Sequence, residues 1–380
     1  MLSLRVFTGR LDARVDENGT DVQDYREESA VKAAVFYAPE DVRVEEIADP
    51  VAGPGEVVVR IHRATTCGTD LKTYRRGHPT ILQKVPTPFG HEFAGTVAGI
   101  GPGVDRGRWR PGMRVVAANS APCHRCPNCR RGRLSLCENL EFLWGAYAEY
   151  IAVPARIVEQ NLYEVPEGLS FAAAALTEPL ACAVHGIAET GIEVGDWVAV
   201  NGAGPIGLFF VRLAALRGAR VICSDLSAER LEVARVLGAV ETVDVSAVPD
   251  QVAAVRELTP DGRGVDSAIE AVGLPEVWEK TVEMVRPGGT ANLFGGAKGG
   301  TRFSVSTTLL HYSELTIKGV FHHTPHYVET ALGLLATGAV PAEAFLSGEM
   351  PLAQTVEALE LMGRQKGIKY AIVPNPGLAA

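Results

Sequence analysis

Four cysteines, Cys123, Cys126, Cys129 and Cys137, stand in a C-x2-C-x2-C-x7-C run on a stretch rich in Pro, Arg and Gly. Four thiolates close a tetrahedral zinc site, so such a site holds structure rather than doing chemistry. Cys67, alone in Thr65-Thr66-Cys67-Gly68-Thr69-Asp70, and the pair His91-Glu92 are then candidates for a second metal that keeps a position open for substrate. Disulfides are the bland reading of the run, and an iron–sulfur cluster is another. In the ferredoxin run, however, the fourth Cys comes sooner and is followed by Pro, whereas Cys137 follows Cys129 by eight positions and precedes Glu138. Arg125, Arg130, Arg131 and Arg133 would suit a nucleic-acid ribbon, but a formal charge of −9 argues against a nucleic-acid partner.

A second constellation is Gly202-Ala203-Gly204-Pro205-Ile206-Gly207, a G-x-G-x-x-G that follows an apolar strand and opens a helix. Gly202 permits the tight turn, Gly204 lets a pyrophosphate approach the backbone, and Gly207 allows helix and strand to pack closely. Pro205 and Ile206 start the helix, whose N-terminus attracts phosphate. Asp225, 18 residues after Gly207, ends the next strand. A carboxylate there accepts hydrogen bonds from ribose hydroxyls and repels a 2′-phosphate, which favours NAD over NADP. Arg230, one turn further on, is a base that could receive that phosphate. The bland reading makes the glycines a turn and Asp225 a helix cap.

The elements that must position these groups follow from pattern and composition. At 380 residues the length suits two domains, and 47% apolar with 21% charged residues is ordinary for a globular chain. Residues 1–30 are polar and weakly periodic, and read as a partly disordered extension. From Val31 short strands separated by Pro and Gly predict a β-rich domain over 31–179. Alternating strands and helices predict a doubly wound, six-stranded parallel sheet over 180–321, an α/β Rossmann arrangement. Its strands are expected at Trp197–Asn201, Arg220–Ser224, Glu241–Val243, Asp266–Glu270, Thr290–Phe294 and Thr316–Val320. Residues 322–380 are expected to return to the first domain. No secretory signal is recognised, the apolar stretch 198–216 reads as strand, turn and helix rather than a membrane span, and seven cysteines of which five fall in metal motifs, with Cys182 and Cys223 in apolar segments, fit a reducing compartment. The expectation is a cytoplasmic protein with no membrane partner.

Taken together, Cys67-Gly-Thr-Asp70, Gly90-His-Glu92, the four-cysteine lobe, Thr177-Glu-Pro-Leu-Ala181 and Gly202-x-Gly-x-x-Gly207 resemble the zinc-containing medium-chain dehydrogenase/reductase family. The likeness covers about residues 31–380, and the Glu178-Pro179-Leu180-Ala181 segment is most similar to the polyol branch with sorbitol and threonine dehydrogenases. The resemblance implies a GroES-like catalytic domain beside the Rossmann domain, two zinc ions per chain and a nicotinamide cofactor. It implies Cys67 and His91 as catalytic zinc ligands, with Glu92 or Glu178 as the carboxylate ligand. Asp70 would orient His91, and Thr69 would relay the substrate's proton. Lys72 stands where several relatives carry a relay His, which leaves the proton's exit open. The implied reaction is hydride transfer between a secondary alcohol, or its ketone, and NAD. A primary-alcohol enzyme and an inert nucleotide-binding regulator are the rival readings. A homodimer or homotetramer is expected. Lys72, Arg75, Arg76 and His78 read as a solvated loop, with an anion subsite as the alternative; His322, His323 and His326 read as polar cleft residues, and Trp144 as a pocket wall.

Overall fold

The computed structural model describes residues 10–15, 21–26, 30–77 and 84–378. His78 lies outside them. The chain forms two compact units, one made of residues up to 178 together with 346–380, the other of 179–345.

The first unit is built on a seven-stranded sheet in the order Leu162–Glu164, Arg114–Ala117, Phe93–Ile100, Val57–Thr65, Lys369–Val373 and Leu346–Pro351, with Tyr150–Val153 also paired to Val57–Thr65. Val57–Thr65 is its centre because a run of β-branched residues can be buried on both faces; Val57, Val59, Ile61 and Ala64 are wholly inaccessible. A three-stranded sheet of Asp41–Ala48, Ala30–Ala38 and Thr87–Pro88 lies in the same unit. In the N-terminal extension, Arg10–Val15 and Asp21–Arg26 pair as an antiparallel hairpin.

The second unit is a six-stranded parallel sheet ordered Ala239–Asp244, Arg220–Asp225, Trp197–Asn201, Val265–Glu270, Val285–Leu293 and Thr316–Gly319. The sequence expectation placed all six strands. Trp197–Asn201 reads as a continuous apolar run because helices cover both sides: Val198, Ala199 and Val200 are fully buried. The helix Pro205–Leu216 starts at Gly204 with Pro205 in its first turn, where a missing N–H costs nothing. The stretch 198–216 is therefore a strand and a buried helix. Among the described residues one helix is long and apolar enough to span a bilayer, Phe171–Thr190, and 89% of its apolar window is buried within the protein.

The return to the first unit begins at Leu346, later than the expected 322. Two contacts help to hold residues 339–345 in the second unit. Arg212 Nε donates to the Ala339 carbonyl at 2.6 Å, and Phe345 stacks on Phe209 with ring centres 4.1 Å apart. Both tie the segment after the helix Pro325–Ala336 to the helix Pro205–Leu216.

Gly207 is fixed by sterics, since a Cβ there would overlap the Gly202 carbonyl oxygen. Gly207→Ala should therefore destabilise the protein by about 1–3 kcal/mol, as overpacking does. Urea unfolding with an unchanged midpoint would contradict this.

Candidate active site

The ligand-bearing segments of the first unit leave its central sheet together. Val57–Thr65 runs into Cys67, which is the N-cap of the helix Gly68–Arg76, and Phe93–Ile100 is preceded by His91-Glu92. The Cys67 sulfur accepts the Thr69 N–H at 3.4 Å, and a helix N-terminus favours negative charge there. Metal-binding atoms of Cys67, His91 and Glu92 all lie within 4.8 Å of one another. Thiolate, imidazole and carboxylate at that spacing suit a zinc ion with one further position for solvent or substrate.

His91 Nδ1 lies 2.8 Å from Asp70 Oδ1, which assigns the proton to Nδ1 and leaves Nε2 for a metal. Burial alone would depress the imidazole's pKa, but the charges of Asp70 and Cys67 hold it well above its ordinary value. Glu92 is fully buried and held through both oxygens: Lys369 Nζ donates to Oε1 at 3.0 Å and sits 2.7 Å from Oε2, and Thr65 Oγ1 donates to Oε2. Lys369 also donates to the Thr66 carbonyl at 2.6 Å. Burial opposes the Lys369 charge, yet Glu92 and Cys67 raise its pKa, so it remains an ammonium.

Glu178 opens the helix Thr177–Thr190 and is buried. Burial first, and the charge of Glu92 after it, push its carboxyl up to about 7, although His91 and Lys369 oppose the rise. Glu92 is thus tethered beside Cys67 and His91, while Glu178 is an ionisable neighbour in the same field. Trp144 sets its ring edge against His91, with centres 5.0 Å apart at 65°. Thr69 is half-buried on the first turn of its helix.

The four-cysteine run closes as the spacing demands. All four sulfurs lie within 4.8 Å of one another, and the Cys126 and Cys137 sulfurs are 4.0 Å apart. Zinc–sulfur bonds of about 2.3 Å in a tetrahedron put sulfurs about 3.8 Å apart, so the donor set fits zinc. Backbone N–H groups, led by that of Arg125, lower the Cys123 thiol to about 6, whereas burial raises Cys129 to about 12. Among the described residues no cysteine forms a disulfide.

In the second unit Gly202 has φ +99°, a conformation that only glycine adopts without strain, and a Cβ on Gly204 would meet nothing within 4 Å. The helix N-terminus is therefore open to a pyrophosphate, as a dinucleotide requires. Asp225 accepts from Ala203 N at 2.6 Å and from Ser227 N at 2.8 Å, which fixes its carboxylate beside the glycine turn. Arg230 is buried on the helix Ala228–Val236; burial lowers its pKa, and the charge of Asp225 partly restores it.

The remaining candidates sort by exposure. Arg75 and Arg76 are exposed, and the Arg75 guanidinium lies against Gly363 at the end of the helix Thr355–Gly363. His322 and His323 rings are 4.0 Å apart, and His185 Nδ1 meets the His322 carbonyl at 2.7 Å. The sequence reading missed Lys369, Thr65 and Tyr147. Lys369 had one signal: it falls in phase with inward-facing Ala371 on its strand.

Residues 53–167 match the model of the alcohol dehydrogenase GroES-like domain, and 205–337 match that of the zinc-binding dehydrogenases. Sorbitol dehydrogenase of Bacillus subtilis is 30% identical over 354 residues, covering 91% of this chain and 98% of that protein. The structure of a zinc-binding dehydrogenase of Sinorhizobium meliloti bound to NADP superposes with a TM-score of 0.82 at 31% identity, covering 91% of this chain and all of that one. For 2R,3R-butanediol dehydrogenase of Bacillus subtilis the values are 0.80 and 29%, with the same coverage.

The Glu178 carboxyl supplies a pH test. Its folded pKa is raised above the usual 4.5, so the protonated form stabilises the metal-free protein fully below that value, and the contribution is lost as pH rises through about 7. The loss should be on the order of 3 kcal/mol. Urea unfolding of chelator-treated protein from pH 5 to 8 should show it, and Glu178→Gln should remove that slope. Equal slopes in both proteins would refute the assignment.

Proposed function

Because this chain belongs to the zinc-binding dehydrogenases of the alcohol dehydrogenase superfamily, we propose that it oxidises a secondary hydroxyl of a neutral polyol, sugar or cyclitol with NAD, or reduces the corresponding ketone. The observation that carries this reading is the open donor set of Cys67, His91 and Glu92. When bound, the metal supplies Lewis acidity toward the substrate oxygen, and the nicotinamide supplies the hydride acceptor.

The chain's own groups set the charge of the site. Cys67, Asp70, Glu92 and Glu178 are four acidic groups in this region, and Lys369 is the ammonium set among them. That excess of acidic groups over cations favours a bound metal ion. Asp70 holds the His91 ring so that Nε2 points to the ligand set. Thr69 Oγ1 is the group proposed to take the substrate's proton toward solvent, since it stands two residues after Cys67 on the turn that the thiol caps. Thr69→Ala should reduce kcat on the order of 10²-fold with metal content unchanged; full activity would remove Thr69 from the mechanism.

Asp225 supports NAD, because its fixed carboxylate would repel a 2′-phosphate. Arg230 lies in its field and weakens that repulsion, and the Sinorhizobium relative binds NADP. NADP is therefore the alternative. The parent should show a higher kcat/KM with NAD, and Asp225→Ala should narrow the ratio; equal values in the parent would overturn the preference.

The exposure of Arg75 and Arg76 favours an uncharged substrate, as does the packing of Arg75 on Gly363. A panel of polyols, sugars, cyclitols, hydroxy acids and sugar phosphates, followed at the NADH absorbance, tests the whole reading. Turnover of neutral secondary alcohols is expected. Turnover confined to phosphorylated or carboxylated substrates would contradict the substrate class, and no turnover of any alcohol would contradict the function.

A further inference from the structure

Tyr147 touches both segments that carry the proposed metal ligands, although nothing in its own neighbourhood of the sequence suggests it. The side chain is wholly inaccessible. Its hydroxyl lies 2.6 Å from Asp70 Oδ2 and 3.2 Å from the Thr65 carbonyl oxygen. A phenol has one proton to donate, and the shorter contact to a charged acceptor takes it. Asp70 uses its other oxygen on His91 Nδ1 at 2.8 Å. The result is an unbroken chain, Tyr147 Oη to Asp70 to His91, ending at the imidazole nitrogen that faces the Cys67 set.

The ring and backbone of Tyr147 hold the other segment. Tyr147 N donates to the Phe89 carbonyl at 2.8 Å, and its ring meets Phe89 edge-on at 5.8 Å. Gly90 has φ +85°, and a Cβ there would stand 2.7 Å from the Tyr147 ring. Gly90-His91-Glu92 therefore lies against this ring with no room for a side chain at its first residue. Burial and the charge of Asp70 raise the phenol's pKa well above its ordinary value, so it stays a donor.

We infer that Tyr147 is a positioning residue that, through Asp70, sets the orientation and donor strength of His91 toward the metal. This rests on the reading that Cys67 and His91 hold that metal. By donating to Oδ2 the phenol fixes the rotamer of the Asp70 carboxylate, so that Oδ1 stays on His91 Nδ1 and the ring keeps its orientation toward the ligand set; without the phenol that hold is looser. The partner beyond a metal-binding histidine commonly governs affinity, and here that partner has a fixed partner of its own.

The test is Tyr147→Phe, which keeps the ring that packs on Phe89 and Gly90. The metal-free protein is titrated with Co2+ against a competing chelator, and the thiolate-to-metal absorption of the Cys67 site is recorded in the parent, Tyr147→Phe, Asp70→Asn and the double variant. Tyr147→Phe should weaken Co2+ at this site on the order of 10-fold and shift the absorption, while the four-cysteine site keeps its affinity. The same substitution on the Asp70→Asn background should add less than twofold, because the phenol acts through that carboxylate. Additive effects, or a Tyr147→Phe protein with parental affinity and spectrum, would overturn the inference. A parent that binds no metal at Cys67 would instead overturn the reading beneath it. Should Tyr147→Phe fail to fold, 3-fluorotyrosine at this position keeps the shape and strengthens the donor; the absorption should then shift, and an unchanged spectrum would count against the role.

Discussion

Burying three carboxyl groups and an imidazole beside a half-buried thiol is tolerable only if their charge is answered locally. The first unit answers it with Lys369, whose ammonium is enclosed by Glu92 and the Thr66 carbonyl, and with Tyr147, whose hydroxyl serves Asp70. The acidic groups still outnumber the cations there, which favours a bound metal ion. The raised Glu178 carboxyl expresses the same constraint: without a metal, burial makes protonation the easier way to shed a charge.

That constraint explains the architecture around it. Lys369 reaches Glu92 because the C-terminal residues come back as a strand beside Val57–Thr65, so the first unit needs both ends of the chain. The four cysteines of the lobe form a separate, closed donor set in a segment with little regular structure, which a bound metal would organise. The second unit has the different task of presenting an open helix N-terminus beside a fixed carboxylate, and its glycines serve that task by conformation and close approach.

The motifs were legible in the sequence because their chemistry demands residue types at set spacings: thiols for the lobe, glycines for the turn, His91-Glu92 for a ligand pair. The six parallel strands were legible because strands buried on both faces read as apolar runs, as at Trp197–Asn201. Lys369 and Tyr147 were not. Lys369 meets Glu92 across 277 residues and Tyr147 meets Asp70 across 77, and only the assembled sheet brings them together. The start of the C-terminal return was hidden for a similar reason, since long-range contacts such as the Phe345–Phe209 ring stack and the Arg212–Ala339 hydrogen bond hold the segment before it in the second unit. Nor could the sequence say which carboxylate stands beside Cys67 and His91; the tether from Lys369 and Thr65 places Glu92 there and leaves Glu178 as its ionisable neighbour.

The central claim is that this acid-rich pocket holds a metal distinct from that of the lobe. Diffraction from crystals of the zinc-loaded protein, recorded above and below the zinc absorption edge, tests it most directly. The account predicts two anomalous peaks per chain, one enclosed by the four lobe cysteines and one bonded to Cys67 and His91. A single peak confined to the lobe, in crystals of protein that turns over alcohols, would contradict it.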